Sequence, residues 1–280
     1  MGRIERMLDA ASRTRLIESS RPYRLDPPGA KEAVLLLHGF TGQPCELRGI
    51  ADALAGEGYA VMGPRYPGHG SCRADFMTTR AEDWIRRAID AWLELRADYG
   101  TIHLVGHSMG GLIAASLASR LPCPRLVLLA PAFEPLNALL ALTPFIAPFC
   151  PVIRRGREPG PGDRDPGRIE QLREYGSDDL VAGGAQLERL VRSSRRALSR
   201  VTSRILVMSG SEDDSVSPAV GDYVKTVAAN AASVELVRLE GAGHLFPFDG
   251  RSAEAAGLVR DWMAGKALRP VGARPDGTRP

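Results

Sequence analysis

Six short apolar runs punctuate the chain: Ala33–Leu37, Tyr59–Met62, Ile102–Val105, Leu126–Ala130, Ile205–Met208 and Val234–Leu239. They read as strands, and between most of them the apolar positions recur at helical spacing. The clearest helix spans 82–98, where Ala81, Trp84, Ile85, Ala88, Ile89, Trp92 and Leu93 fall on one face. Thr79 with Glu82 predicts a capping box at its start. Ser217 followed by Pro218 predicts a second helix start, with Val220, Val224 and Val227 on the buried side. Strands alternating with helices imply an α/β architecture, a mainly parallel, doubly wound sheet covered on both faces. Residues 1–20 read as a helical or loosely ordered lead-in, and 21–30 as a proline-rich turn segment.

The alternation breaks between about 133 and 203. Phe133–Ile153 is apolar but interrupted by Pro135, Pro144, Pro148 and Pro151. Gly156–Gly167 is dense in glycine, proline and charge, and is expected to be a mobile loop. A helical pattern follows at Leu187, Leu190, Val191, Ala197, Leu198 and Val201. Arg189, Arg192, Arg195, Arg196 and Arg200 lie opposite and read as a solvated face. The expected organisation is a lead-in (1–30), a core in two pieces (31–132 and 204–265), an insertion (133–203) and a disordered tail (266–280).

A chain of 280 residues suits one large domain, or one domain with an inserted subdomain. A net charge of +3, with arginines scattered rather than clustered, argues against nucleic acid as a partner. Arg3, Glu5, Arg6 and Asp9 leave no apolar segment at the N-terminus, so no secretory signal is read there. No apolar run is long enough to span a bilayer, and a cytoplasmic location is expected. The four cysteines, Cys45, Cys72, Cys123 and Cys150, are widely spaced and are expected to be reduced and mostly buried.

The candidate chemistry starts at Gly106-His107-Ser108-Met109-Gly110. This G-x-S-x-G follows a strand pattern and precedes the small-residue helical stretch Gly111–Ala118. The pattern predicts a sharp turn with a strained serine at its apex, where side chains at 106 or 110 would collide with neighbouring backbone. The serine also sits at a helix N-terminus, whose dipole favours negative charge. A serine hydroxyl needs a base in reach, and the base an orienting carboxylate. With a nucleophile turn of this kind, the chain order is serine, acid, histidine. Glu212, Asp213 and Asp214 follow the strand at 205–208, and His244 follows the strand at 234–239. Both loops lie beyond strand carboxyl ends, where parallel sheets gather functional groups. His38 and His69 lie early, His103 sits within a strand, and His107 is read as pointing away from the serine. His244 alone follows the acids and is the candidate base. Spacing from Gly210 and Val216 favours Asp213 as the acid, with Asp214 the alternative. Two backbone N–H groups should face a developing oxyanion. Met109 supplies one, and Phe40, in the loop His38–Gly42 ahead of a helix near Glu46, the other.

These stretches carry a likeness: LLLHGFTG (35–42), GYAVMGPRYPGHG (58–70), Asp83-Trp84, GHSMGG (106–111), GSEDDSVSP (210–218) and the segment Glu174–Leu198. Over roughly 33–264 the chain resembles the α/β-hydrolase superfamily, and within it bacterial monoacylglycerol lipases and small carboxylesterases. The resemblance implies an α/β-hydrolase fold with an inserted helical cap and a triad of Ser108, Asp213 and His244. It also implies an oxyanion hole of Phe40 and Met109, no metal or organic cofactor, and a small-molecule ester or lipid as substrate. Two departures bear on the substrate. Phe133–Gly167 is longer and more proline-rich than a compact lipase cap, and 243–249 carries its own apolar residues. The apolar cap positions, Leu139, Phe145 and Ile146 among them, are candidates for an acyl tunnel; the alternative is packing of cap onto body. A thioesterase, lactonase or aminopeptidase would use the same triad, and a non-catalytic ligand-binding member of the fold is the reading from another class.

Overall fold

Seven strands form one sheet: β1 (Tyr23–Leu25), β2 (Glu32–Leu37), β3 (Ala60–Gly63), β4 (Thr101–His107), β5 (Arg125–Leu129), β6 (Arg204–Gly210) and β7 (Ser233–Leu239). The computed structural model describes residues 2–14, 16, 18–158, 169 and 172–268. The strand order is β1-β3-β2-β4-β5-β6-β7. β2 to β7 pair in parallel, and β1 lies antiparallel on β3 with Tyr23 opposite Gly63. All six apolar runs are strands. The segment 21–30 also holds β1, which the sequence reading took for turns. Three residues at a sheet edge are too few to show an alternation.

Among the described residues the helices are α1 (Arg3–Arg13), α2 (Arg48–Gly56), α3 (Arg73–Phe76), α4 (Ala81–Asp98), α5 (Met109–Ala118), α6 (Thr143–Ile146), α7 (Val181–Leu198), α8 (Val220–Val227) and α9 (Ser252–Met263). Strand side chains alternate between two cores. Ala33, Leu35 and Leu37 of β2 join α4, α5, α7 and α8, whereas Val34 and Leu36 join α2 and α9. A strand buried on both faces has no polar side, which is why these strands read as unbroken apolar runs.

α4 differs from its expected form in two respects. The Asp83 carboxylate accepts from the Arg80 N–H at 2.9 Å, while Thr79 Oγ1 accepts from Trp84 Nε1 at 3.2 Å, so the cap sits one residue later than Thr79. The buried face runs through Trp84, Ala88, Ala91, Trp92 and Leu95, and Leu93 is 53% exposed. Alanine carries little hydrophobic signal, so the bulkier Leu93 displaced Ala91 in the sequence reading. α8 begins at Val220, three residues past Ser217, with Val220 and Val224 buried and Val227 half-buried. The cysteines are all free thiols. Cys123 alone is buried, and the other three are half-buried in loops or turns.

The described residues of the segment between β5 and β6 lie over the carboxyl edge of the sheet, where they line a cavity with Ser108 and His244. They contain a 3-10 turn (Ala138–Leu142), α6, a wide turn at Leu172–Gly176 and α7. Tyr175 Oη donates to the Gly68 carbonyl and accepts from the Ser71 N–H, each at 2.8 Å. The Arg73 guanidinium pairs with Asp178 and donates to the Glu174 carbonyl at 3.0 Å. Arg189, Arg192, Arg195 and Arg196 are exposed on α7 as expected. Arg195 also donates to the Phe133 carbonyl at 2.8 Å, pinning the start of this segment to α7. Of the loop expected at 156–167, residues 159–167 lie outside the described residues, as does the tail from 269 onward. No helix among the described residues is long and apolar enough to cross a membrane.

Candidate active site

Ser108 stands between β4 and α5 at φ 52° and ψ −116°, a left-handed conformation that non-glycine residues rarely adopt. Such a conformation costs about 1–3 kcal/mol and survives only where its surroundings enforce it. Here the Ser108 N–H donates to the Leu129 carbonyl at 2.9 Å, and its carbonyl accepts from Gly111 at 3.0 Å and Ala132 at 3.2 Å. Gly110 lies so close to β2 that a Cβ would overlap the Leu37 carbonyl, and a Cβ on Gly106 would overlap the Gly110 carbonyl. The glycines thus permit the close strand–helix approach that lifts the serine out at the sheet edge.

The loops after β6 and β7 meet because Gly210 packs on the backbone of Ala242, and the Glu212 N–H donates to the Ala242 carbonyl at 2.9 Å. This apposition places Asp213 against His244. His244 Nδ1–H donates to Asp213 Oδ2 at 2.8 Å, and Ser108 Oγ–H donates to His244 Nε2 at 3.0 Å. Asp213 Oδ1 accepts from the N–H groups of Ser215 at 2.9 Å and Val216 at 2.8 Å. Burial works to raise the Asp213 pKa. The hydrogen bond and charge of His244, with the two N–H groups, outweigh it and hold the carboxyl below its ordinary value. Asp214 is exposed and accepts instead from Ser215 Oγ at 3.0 Å, so Asp213 is the acid that reaches His244.

Phe40 and Met109 flank the serine. Met109 opens α5, and the loop Gly39–Phe40 passes close enough that a Cβ on Gly39 would lie 3.4 Å from Ser108 Cβ. The Phe40 ring packs edge-on against Phe76 at 5.5 Å and Trp84 at 6.0 Å, fixing that loop from behind. His103 is a structural histidine, paired through Nε2 with Glu32 Oε2 at 3.0 Å. His38 and His69 are buried in an aromatic cluster with Tyr66. Burial pushes His38 well below its ordinary pKa and His69 down to about 4. The Ser108 hydroxyl bonds to the His244 ring, and the His107 Nε2–H reaches the His244 carbonyl at 3.0 Å. Burial, then the neighbouring His244, pushes the His107 pKa down to about 3.

Two cavities meet at Ser108, Phe40 and His244. The larger, about 630 Å³, runs under the segment between β5 and β6 and is lined by Leu139, Leu140, Ile146, Leu180, Leu187 and Val216. Leu139 and Ile146 therefore face it. Phe145 is 69% exposed and lies outside its lining. The smaller, about 200 Å³, is lined by Thr41, Glu46, His107, Tyr175 and Phe248. Leu187 was visible in the helical pattern. Leu140 belongs to the apolar cap run read as a candidate tunnel, and it too lines the cavity. Leu180 and Tyr175 were not singled out, because an apolar or aromatic residue in a cap carries no sign of which way it faces.

A parallel sheet with a strained serine at a strand–helix turn, joined through histidine to a buried aspartate, defines a hydrolase-type α/β protein. The chain belongs to the alpha/beta hydrolase family, whose model matches residues 34–258. It is 28% identical over 232 residues to a thermostable monoacylglycerol lipase of Bacillus sp. (strain H-257), covering 77% of this chain and 84% of that one. It is also 28% identical over 273 residues to a magnesium-chelatase 30 kDa subunit of Rhodobacter capsulatus, covering 85% and 89%. Among solved structures, a metagenome-derived lipolytic enzyme superposes with a TM-score of 0.78 at 22% identity, over 90% of this chain and 100% of that one.

Proposed function

We propose that the chain is a serine hydrolase that cleaves carboxylic esters with an apolar acyl chain, in the manner of a monoacylglycerol lipase or carboxylesterase. The observation that carries this reading is the unbroken hydrogen-bonded row Ser108–His244–Asp213 at the meeting point of two cavities, the larger with an apolar stretch along its lining. The similarity to a monoacylglycerol lipase supports the ester class.

In the proposed mechanism, His244 Nε2 takes the Ser108 proton as Oγ attacks the ester carbonyl. Asp213 holds the Nδ1–H tautomer and stabilises the imidazolium that forms. The N–H groups of Phe40 and Met109 stabilise the oxyanion, helped by the N-terminus of α5. His244 then protonates the leaving alcohol and afterwards activates the water that releases the acid. The larger cavity is within the size range of small-molecule sites. The apolar part of its lining suits an acyl chain, with Leu139 and Ile146 as contacts, and Asn137, Arg155, Arg157 and Asp179 add polar groups to the same cavity.

The test is hydrolysis of p-nitrophenyl esters of increasing chain length, and of monoacylglycerols, by wild type and Ser108→Ala. A serine-dependent optimum at medium or long chains, with monoacylglycerol turnover, is expected. A short-chain optimum makes it a general carboxylesterase. Absence of serine-dependent ester turnover overturns the reading in favour of thioester, lactone or amide substrates.

A further inference from the structure

We propose that His107 is a positioning residue for the reaction, holding the main chain that carries His244 in register with Ser108. The proposal rests on the reading of His244 as the general base. A backbone carbonyl can only accept, so the 3.0 Å contact from His107 Nε2 to the His244 oxygen requires the proton on Nε2. The two rings lie 5.1 Å apart, and His107 is 2% exposed, so water does not compete for that bond. The titratable groups around the pair are Asp213 on the far side of His244, His38, whose charge His107 opposes, and Glu46, whose Oε2 lies 4.0 Å from His107 Nδ1, too far for a hydrogen bond.

The mechanical consequence follows from sequence adjacency. His107 is the last residue of β4 and Ser108 the next residue in the chain. The donor that fixes the His244 backbone and the nucleophile that His244 serves therefore hang from one strand end. Asp213 orients the imidazole through its side chain, and His107 anchors the same residue through its carbonyl. Together they fix both ends of His244, and hence the 3.0 Å separation from Ser108 Oγ. Gly39 leaves the room this needs, since a Cβ there would sit 3.3 Å from His107 Nδ1.

The experiment compares wild type, His107→Leu, His107→Gln and Ser108→Ala on one p-nitrophenyl ester. It measures kcat, KM, the pH profile of kcat/KM and the thermal midpoint. His107→Leu removes the donor, and a base displaced by a fraction of an ångström should lower kcat about 10- to 100-fold with KM little changed. Its pH profile should move as well. Glutamine carries an N–H at the position of Nε2 and should recover most of the loss. If His107→Leu does not fold, His107→Met, more flexible in a packed site, takes its place. Wild-type kcat in the leucine or methionine variant, with Ser108→Ala inactive, overturns the role of His107 and leaves the serine reading standing. Equal defects in the glutamine and leucine variants, at unchanged thermal midpoints, also overturn it. Activity surviving in Ser108→Ala removes the reading on which the proposal rests, and the proposal with it.

Discussion

Acidification should destabilise this chain through its buried histidines well before its carboxylates titrate. His69 and His107 are enclosed, and burial pushes their pKa values down to about 4 and about 3. In the unfolded chain each returns to about 6.5. The folded state thus refuses a proton that the unfolded state takes up, so stability is present above about pH 6.5 and is lost as the pH falls toward the folded values. At about pH 5 the unfolded chain gains a factor of roughly 30 per histidine while the folded chain gains almost nothing, a loss of about 2 kcal/mol each. Together they remove about 4 kcal/mol from a domain whose whole stability is of order 5–15 kcal/mol. His38, buried and pushed well down, acts in the same direction. Asp213, held below its ordinary value, contributes stability that is lost only as the pH falls below about 4, so the window between about pH 6.5 and 5 isolates the histidines. Urea unfolding followed by circular dichroism across that window measures the effect. His69→Gln removes one proton site and should flatten the dependence by about 2 kcal/mol. An unfolding free energy unchanged between about pH 7.5 and 5, or a slope that His69→Gln leaves intact, refutes this reasoning.

Four further outcomes follow from the geometry. Asp213→Asn should lower kcat on the order of 10⁴-fold through the wrong imidazole tautomer, while Asp214→Asn should leave ester turnover within a few-fold of wild type in steady-state assays. Ile146→Trp should fill part of the larger cavity and shift the optimum of the ester series to shorter chains, whereas Phe145→Ala, altering an exposed side chain, should not move it. Gly110→Ala drives a Cβ into the Leu37 carbonyl and should cost about 3 kcal/mol or more in urea unfolding. Gly257→Ala, in the middle of α9 with open space around it, should gain up to about 1 kcal/mol.

Six of the seven strands were legible because parallel strands enclosed on both faces leave continuous apolar runs. β1 was not, because a three-residue edge strand repeats no pattern. Ser108 and the Phe40 loop were legible because a strained turn and its glycines constrain sequence locally, and His244 because it alone of the histidines follows the acids. Choosing between Asp213 and Asp214 depends on how Gly210 packs on Ala242, a contact between loops some thirty residues apart that spacing alone suggests but does not determine. Phe145 shows a further limit: in a run as apolar as 139–149, helical phase leaves no polar face to read, and the side chain points outward. His107 shows another. Its Nε2–H reaches the main chain of His244, and a backbone acceptor leaves no signature in sequence.

The most direct test of the central claim is mass spectrometry of the intact chain and its peptides after reaction with a fluorophosphonate, with ester turnover followed in parallel. The account predicts a single stoichiometric adduct on Ser108, turnover lost in proportion to labelling, and neither adduct nor turnover in Ser108→Ala. Ester turnover that survives complete labelling, or an adduct on another residue that abolishes it, would contradict the assignment of Ser108 as the nucleophile.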